Sequence, residues 1–379
     1  MSSCRFSCEE VEGELKSLDI NKGAGPDYIS PLILKKCSSV ISPHLTIYFN
    51  ALIDAGIFPS NLKLGFITPI LKSGSSSEIN NYRPIVIQCT LSKVFESLVL
   101  KRLNFNFRSI INFEQHGFVK GRSTTTNLLS FQDHILSAFS DSHQLDAIYT
   151  DFSKAFDRVS HKHLIAKLEA VGVGGTLLKW LESYLLDRVL QVQVAGSLSQ
   201  PFSAVSGVPQ GSLLGPVLFS MFINDLVQHL NSHVLLFADD AKIFKAIKSV
   251  EDCVALQGSV DLLMDWCHEN DMILNSSKCS VITFTRSKSP ILYNYELNGQ
   301  PLSRCSKIKD LGVLLTSNLS SHEHIDYISK RANSALYYVI RTSRDNFSVQ
   351  ALKILYIHLV RPILEYSSIV WSPYQIGLI

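Results

Sequence analysis

No run of apolar residues in this chain is long enough to cross a membrane as a helix, and its first residues lack the apolar core of a secretion signal. The eight cysteines (Cys4, Cys8, Cys37, Cys89, Cys253, Cys267, Cys279 and Cys305) include no CxxC pair. That argues against a zinc site or a disulfide framework and for a reducing, intracellular setting. An excess of one charge is missing too: 35 Lys and Arg against 33 Asp and Glu leave a net charge of +2. Any contact with nucleic acid would therefore have to come from locally placed basic residues, not from bulk charge. No basic run reads as an import signal, so nucleus and cytoplasm both stay open, and no internal repeat is evident.

What is present is core. With 46% hydrophobic and 18% charged residues over 379 positions, the chain can build two or three packed subdomains. Residues 1–62 read as helical, broken by the Gly/Pro loop "NKGAGPD". "GFITPIL" and "YRPIVI" read as strands around the polar loop "KSGSSSEINN". Leu91, Val94, Phe95 and Leu98 recur at helical spacing in "TLSKVFESLVLKRLNFNF", and Ser123 is placed to cap a helix over "TTTNLLSFQDHILSAF". "LDAIYTD" is a strand, followed by helices near 160–170 and in "GGTLLKWLESYLLDR", then the strand "LQVQVAG". "GPVLFSMFINDLVQHL" is expected to form one apolar helix and "SVEDCVALQGSVDLLMDWC" another. "HVLLFA" and "AKIFKA" form a hairpin, "SVITFT" and "ILYNYEL" are expected strands, and "NG" at 298–299 turns toward a strand in "KDLGVLL". From about 320 the pattern is helical. Helices and strands do not alternate as in a wound parallel sheet, so the expected class is α+β, an antiparallel sheet with helical ends.

Inside this pattern "LLFADDAKIF" sets Asp239 and Asp240 side by side within an apolar run. Two adjacent buried charges are costly unless something positive neutralises them. Successive strand residues face opposite sides, so one of the pair serves a given face unless the turn bends both inward. Asp151, at the end of "AIYTD", can supply a further carboxylate. Hard oxygen ligands of this kind suit Mg²⁺, and two such ions activate an attacking oxygen and stabilise a leaving pyrophosphate. A bare pair of aspartates is otherwise an ordinary hairpin tip.

The company of the pair decides between these readings. "FADD", "YTDFSKAFDRVSH" and "SGVPQGSLLGPVLFSMFINDL" resemble the reverse transcriptase of non-LTR, LINE-type retrotransposons of the jockey-like group. The resemblance runs in order from "KGAGPDYISPLIL" through "ITPILKSG", "NYRPI", "HGFVKGRS", "NSSKCSVITF" and "KDLGVLL" to "VWSP". It implies a right-hand polymerase fold with fingers, a palm and a partial helical thumb. The expected boundaries are an N-terminal extension over 1–52, fingers and palm over 53–316, and the thumb over 317–379.

Carried over residue by residue, the resemblance makes Asp151 and Asp239 the principal ligands of two Mg²⁺ ions, for which Mn²⁺ can substitute. The Phe152 carbonyl assists and Asp240 is a second, less direct acid. Arg83, with Lys72, would hold the incoming dNTP. Gln210 and Gly211 of "GVPQGS" would approach nucleotide and template base, with Gly207 giving the loop close backbone approach. Lys278 would act on the leaving pyrophosphate, Phe156 would exclude a 2′-hydroxyl, Lys120 and Arg122 would hold template phosphates, and Gly312 lies in the primer grip. Asp157 reads as a local helix-start hydrogen-bonding residue. The implied partners are an RNA template, a DNA primer and dNTPs, with no membrane. Endonuclease sequence and a Cys/His knuckle are not seen, so the expectation is a fragment or derived copy. Rival readings are a catalytically silent template–primer-binding remnant and a carboxylate-pair glycosyltransferase, which would favour Asp-x-Asp and leaves "PQG" and "YRPI" unexplained.

Overall fold

The computed structural model describes residues 1–72, 74–343 and 347–373. It comprises two compact units, each built from three separated stretches of chain. The first takes Met1–Phe118, Phe152–Val227 and Asp265–Ile273; the second takes Val119–Asp151, Gln228–Met264 and the chain from Leu274 onward. No helix among the described residues is long and apolar enough to cross a membrane.

In the first unit, strands Leu64–Leu71 and Tyr82–Gln88 pair antiparallel from Gly65↔Gln88 to Leu71↔Tyr82, as their flanking polar loop leads one to expect. Arg188–Val194 adds to the first of them in parallel, which makes this sheet mixed. Thr90–Phe107 forms the helix its apolar spacing predicts, burying Val94, Phe95, Leu98 and Val99. Its Phe95 ring stacks on Phe49 at 4.3 Å and meets Trp180 at 4.9 Å. Phe58 lies edge-on to Trp180 and Tyr184, so five aromatic side chains hold three helices and a loop together.

The second unit is organised on a five-stranded sheet in the order Ser303–Cys305, Ser280–Phe284, Gln144–Thr150, Asp240–Ile247, His233–Phe237. Every neighbouring pair is antiparallel except the outermost, where Ser303–Cys305 runs parallel to Ser280–Phe284. Helix Thr124–Ser140 opens with the Ser123 cap: the Ser123 hydroxyl accepts from the Thr126 amide while Thr126 Oγ1 accepts from the Ser123 amide. Its Phe131 and Ile135 pack with Leu145, Ala147, Phe244, Ile282 and Phe284 in one buried cluster. The period-two alternation of the central strand thus puts Leu145 and Ala147 on the helix-covered face.

Three expectations are corrected. "GPVLFSMFINDLVQHL" is two helices, Gly215–Phe222 and Leu226–His229. The break falls where Asn224 is drawn off to bond the Ile110 carbonyl and the Asn112 amide, and Asp225 to meet Lys167 and Trp266. In "ILYNYEL" only Glu296–Leu297 is strand, closed on Gln300–Pro301 by the expected Asn298–Gly299 turn. Upstream, Tyr295 is committed to the fully buried Asp146 at 2.8 Å, and the Ile291 amide to Gln144. "KDLGVLL" is not one strand but a hairpin, Lys307–Asp310 against Val313–Thr316, reversing at Leu311 and Gly312. Their φ values of 42° and 94° are both left-handed, which glycine adopts freely and leucine does not.

Beside this hairpin His324 is almost completely buried, its Nδ1 accepting from the Leu314 amide at 3.1 Å and its ring 5.1 Å from Trp371. Burial, aided by the charge of Lys309, pushes its pKa down to about 4. The unfolded chain takes up the proton near pH 6.5, so between there and pH 4 it binds more protons than the folded one. Stability should fall as pH drops through that window and level off below it, by roughly 3 kcal/mol at most. Urea unfolding of the wild type and His324→Gln at pH 7 and pH 4.5 checks this: the wild type should lose more than the variant, and equal losses would remove His324 as the linked group.

Candidate active site

The register of the central strands decides how the acids meet. Phe237 pairs with Asp240, leaving Ala238 and Asp239 as the two-residue turn of the hairpin, with Ala238 at φ 57°. Asp239 therefore lies in the turn and Asp240 opens the next strand. Thr150 pairs with Ala241, which brings Asp151, one residue past its strand, level with Asp240. Asp240 stays open to solvent on one side. Even so, its pKa is pushed up to about 6, first by desolvation and then by the negative charges of Asp239, Asp310 and Asp151, with Lys242 opposing.

Asp151 has its own neutralising partner, Lys278 Nζ at 3.3 Å from Oδ2. The two are brought together because the Asn275 amide donates to the Asp151 carbonyl at 2.7 Å, folding "NSSK" back on the strand end. Among the described residues no three His, Cys, Asp or Glu side chains close to metal-coordinating geometry. The donor set nonetheless fits a hard divalent cation. Anionic oxygens crowd one another, and substrate phosphates and water commonly complete such a site.

Beneath these acids lies a second charge cluster. Lys242 Nζ meets Asp310 Oδ2 at 2.5 Å with both side chains about 5% exposed, and the Tyr149 hydroxyl donates to the same oxygen at 2.9 Å. The ammonium also lies 4.5 Å from the centre of the Phe131 ring. Burial draws the Lys242 pKa down while Asp310 draws it up. A cavity of about 90 Å³ is lined by Asp240, Lys242, Asp310, Tyr149, Lys309 and Leu311, among others. Asp310 immediately precedes the Leu311–Gly312 turn, so Gly312 is fixed to the same sheet end as the acids. Lys120, exposed, and Arg122 stand just ahead of the helix starting at Thr124.

The first unit gathers the other expected residues. Arg83 pairs with Ile70, and the Lys72 amide donates to the Asn81 carbonyl, so both exposed cations stand at one end of the two-stranded ribbon. The "GVPQGS" loop is stitched to this ribbon and to the segment after Asp151. The Val86 amide donates to the Gln210 carbonyl at 2.7 Å, and the Gly207 and Val208 amides donate to the Val159 and Phe156 carbonyls. A Cβ on Gly211 would stand 2.8 Å from the Val86 carbonyl oxygen, and one on Gly207 equally close to Asp157 and Phe156 backbone. Phe156 is half-buried, stacked on Phe219 at 4.4 Å with Phe118 edge-on at 6.3 Å. Phe152 is buried with its ring edge-on to Trp266.

Asp157 differs from expectation in its partner. Its Oδ1 accepts from Gln210 Nε2 at 2.9 Å, across 53 residues, instead of from local backbone. Burial raises its pKa against that hydrogen bond and the charges of Lys154 and Lys72. Gln210 is thus held by an acid, with its orientation set.

Sequence reasoning missed Glu96, Lys242 and Asp310. Glu96 is fully buried and accepts from the Leu213 amide and the Gln88 side chain at 2.9 and 2.7 Å, anchoring the loop before the helix Gly215–Phe222. The one visible signal was a glutamate between Phe95 and Leu98 on an apolar face. Lys242 carried a similar signal inside "AKIF", but its partner lies 68 residues away.

Comparison with known proteins identifies the family. The family model described as "Reverse transcriptase (RNA-dependent DNA polymerase)" matches residues 70–324. A probable RNA-directed DNA polymerase from transposon BS of Drosophila melanogaster is 32% identical over 96% of this chain and 42% of its own length. The corresponding protein of transposon X-element is 30% identical over 96% and 41%. The RNA-directed DNA polymerase of mobile element jockey is 29% identical over 85% and 36%. The chain spans less than half the length of these relatives. Among solved structures, apo telomerase of Candida tropicalis truncated from its C-terminal domain aligns at a TM-score of 0.49 and 13% identity. That alignment covers 76% of this chain and 59% of that one, too distant to bear on the site.

The buried pair makes its own test. Asp310→Asn leaves the Lys242 ammonium without its counter-charge and should cost about 3–5 kcal/mol, whereas Lys242→Met with Asp310→Leu removes both charges and should cost far less. Chemical denaturation of the two variants measures the difference; similar losses would mean the pair is not acting as a unit.

Proposed function

Because the chain belongs to the reverse transcriptase family, in its non-LTR retrotransposon branch, we propose that it is an RNA-directed DNA polymerase that adds dNTPs to a primer 3′ end. The observation that carries the reading is the convergence of Asp151, Asp239 and Asp240 at one sheet end, close enough that the charges of Asp239 and Asp151 help to raise the pKa of Asp240. Reverse transcriptases use divalent cations. On this reading Asp151, Asp239 and Asp240 hold two Mg²⁺, with Mn²⁺ able to replace them, and the Phe152 carbonyl contributes a further ligand. Bound there, the ions supply positive charge to the attacking and leaving oxygens.

The protein's own groups divide the remaining work. Arg83 offers a planar, always-charged donor set to the triphosphate, and Lys72 adds a point charge beside it. Gln210, held by Asp157, lies beside Gly211, whose missing side chain lets backbone approach nucleotide and template base. Lys278 can move from Asp151 to the pyrophosphate as negative charge develops there. Lys120 and Arg122 position template phosphates without reading sequence. The Leu311–Gly312 turn holds the primer end.

Asp151→Asn and Asp239→Asn should each abolish extension on an RNA template while template–primer binding, followed by fluorescence anisotropy, survives. Wild-type-like extension by either variant would sink the ligand assignment, and a wild-type chain that binds without extending would identify a silent remnant. Phe156→Val tests sugar selection. As a steric gate Phe156 excludes a 2′-hydroxyl through an overlap costing about 1–3 kcal/mol, so its loss should admit rNTPs by roughly tenfold or more while dNTP addition persists. The stack on Phe219 gives the competing outcome: if Phe156 only packs, melting temperature and activity fall together and the dNTP preference does not move.

A further inference from the structure

The "PILEYSSIVWSP" stretch has no part in the chemistry above, yet it lies against the hairpin turn that carries Gly312. The Tyr366 hydroxyl is 2.8 Å from the Leu311 carbonyl oxygen and 2.9 Å from Thr124 Oγ1. A phenol has one proton and a carbonyl can only accept, so Tyr366 donates to Leu311 and the Thr124 hydroxyl donates to Tyr366. The ring covers the turn as well: a Cβ on Gly312 would stand 2.9 Å from Tyr366 Cε1. Tyr366 is itself held, since the Trp371 indole N–H donates to its carbonyl at 2.9 Å and Ser367 Oγ lies 3.0 Å from Thr125 Oγ1. Val370 is buried with Leu128 and Val313, and Trp371 packs on His324, which takes the Leu314 amide.

The rim of the turn is thus held from outside the sheet by Tyr366 and from within by Asp310. Tyr366 keeps 42% of its surface exposed, so its hydroxyl is poorly explained as a core-filling group. What the hydroxyl does set is an orientation. The peptide joining Leu311 to Gly312 is planar and trans, so fixing its carbonyl toward Tyr366 turns the Gly312 N–H to the opposite side. We propose that Tyr366, backed by Trp371, is a positioning residue that locks this peptide plane, and so the face of the turn presented to the primer end. The proposal rests on the polymerase reading for its consequence but not for its geometry.

Tyr366→Phe keeps the ring and removes the hydroxyl, and with it the bond to Leu311 and the one from Thr124. Freeing the peptide plane should raise the KM for primer–template about five- to tenfold, with the KM for dNTP unchanged and the melting temperature lowered by only a few degrees. Hydrogen exchange in peptides covering 311–315 should accelerate in the same variant. Primer KM and exchange both unchanged would overturn the proposal, as would a loss of all activities in step with the melting temperature. A wild-type chain that extends no primer would instead overturn the polymerase reading. In that case faster exchange at 311–315 in Tyr366→Phe would uphold the lock, and unaltered exchange would end it.

Discussion

Four carboxylates, three at one end of the five-stranded sheet and the fourth on the hairpin beside it, set the terms for most of the second unit. Asp151, Asp239, Asp240 and Asp310 repel one another, as the raised pKa of Asp240 records. Two lysines hold that repulsion in check by different means. Lys278 reaches Asp151 from an exposed position and is free to leave it. Lys242 is sealed against Asp310 in the interior, where Tyr149 and Phe131 complete its surroundings. A buried pair of this kind adds little net stability, because desolvation offsets attraction. Its value lies in geometry: it ties the hairpin turn to the acids, so two parts of the site share one anchor.

The first unit solves a different problem, that of holding a loop in place without regular structure. Backbone amides of "GVPQGS" and of the residues after it are satisfied by Val159, Phe156 and the buried Glu96, while the Val86 amide reaches back to Gln210. Glycine at 207 and 211 is required there because backbone atoms occupy the space a side chain would need. The loop's apparent irregularity conceals an almost complete set of hydrogen bonds, which is what makes a polar loop a dependable place to mount Gln210.

How much of this was legible in the sequence follows from the range of the forces involved. The helix Thr90–Phe107 and the strands Leu64–Leu71 and Tyr82–Gln88 were readable because periodicity and breakers are local. So was the Ser123 cap, which needs only three residues of context. "FINDL" misled because Asn224 and Asp225 obey partners over a hundred and about forty residues away, and "ILYNYEL" because Tyr295 answers to Asp146. The acids themselves were visible as charges in apolar runs. Their companions were not: a lysine inside "AKIF" signals a need for a counter-charge, but nothing local says that Asp310 meets it.

The division of the chain into units has a consequence for its birth. Each unit is completed only by stretches lying on both sides of the other's, and the first unit's last contribution is Asp265–Ile273. That stretch supplies Trp266, whose indole closes on Asp225 and lies beside Phe222 and Lys167. As a ribosome threads the protein out from its N-terminus, the aromatic cluster around Phe95 can assemble early, but the half containing Phe222 must wait with apolar surface uncovered. Nascent chains in that condition are prone to aggregate. Neither unit is one continuous piece of chain: the first is complete once Ile273 has emerged, while the second still awaits the chain from Leu274 onward.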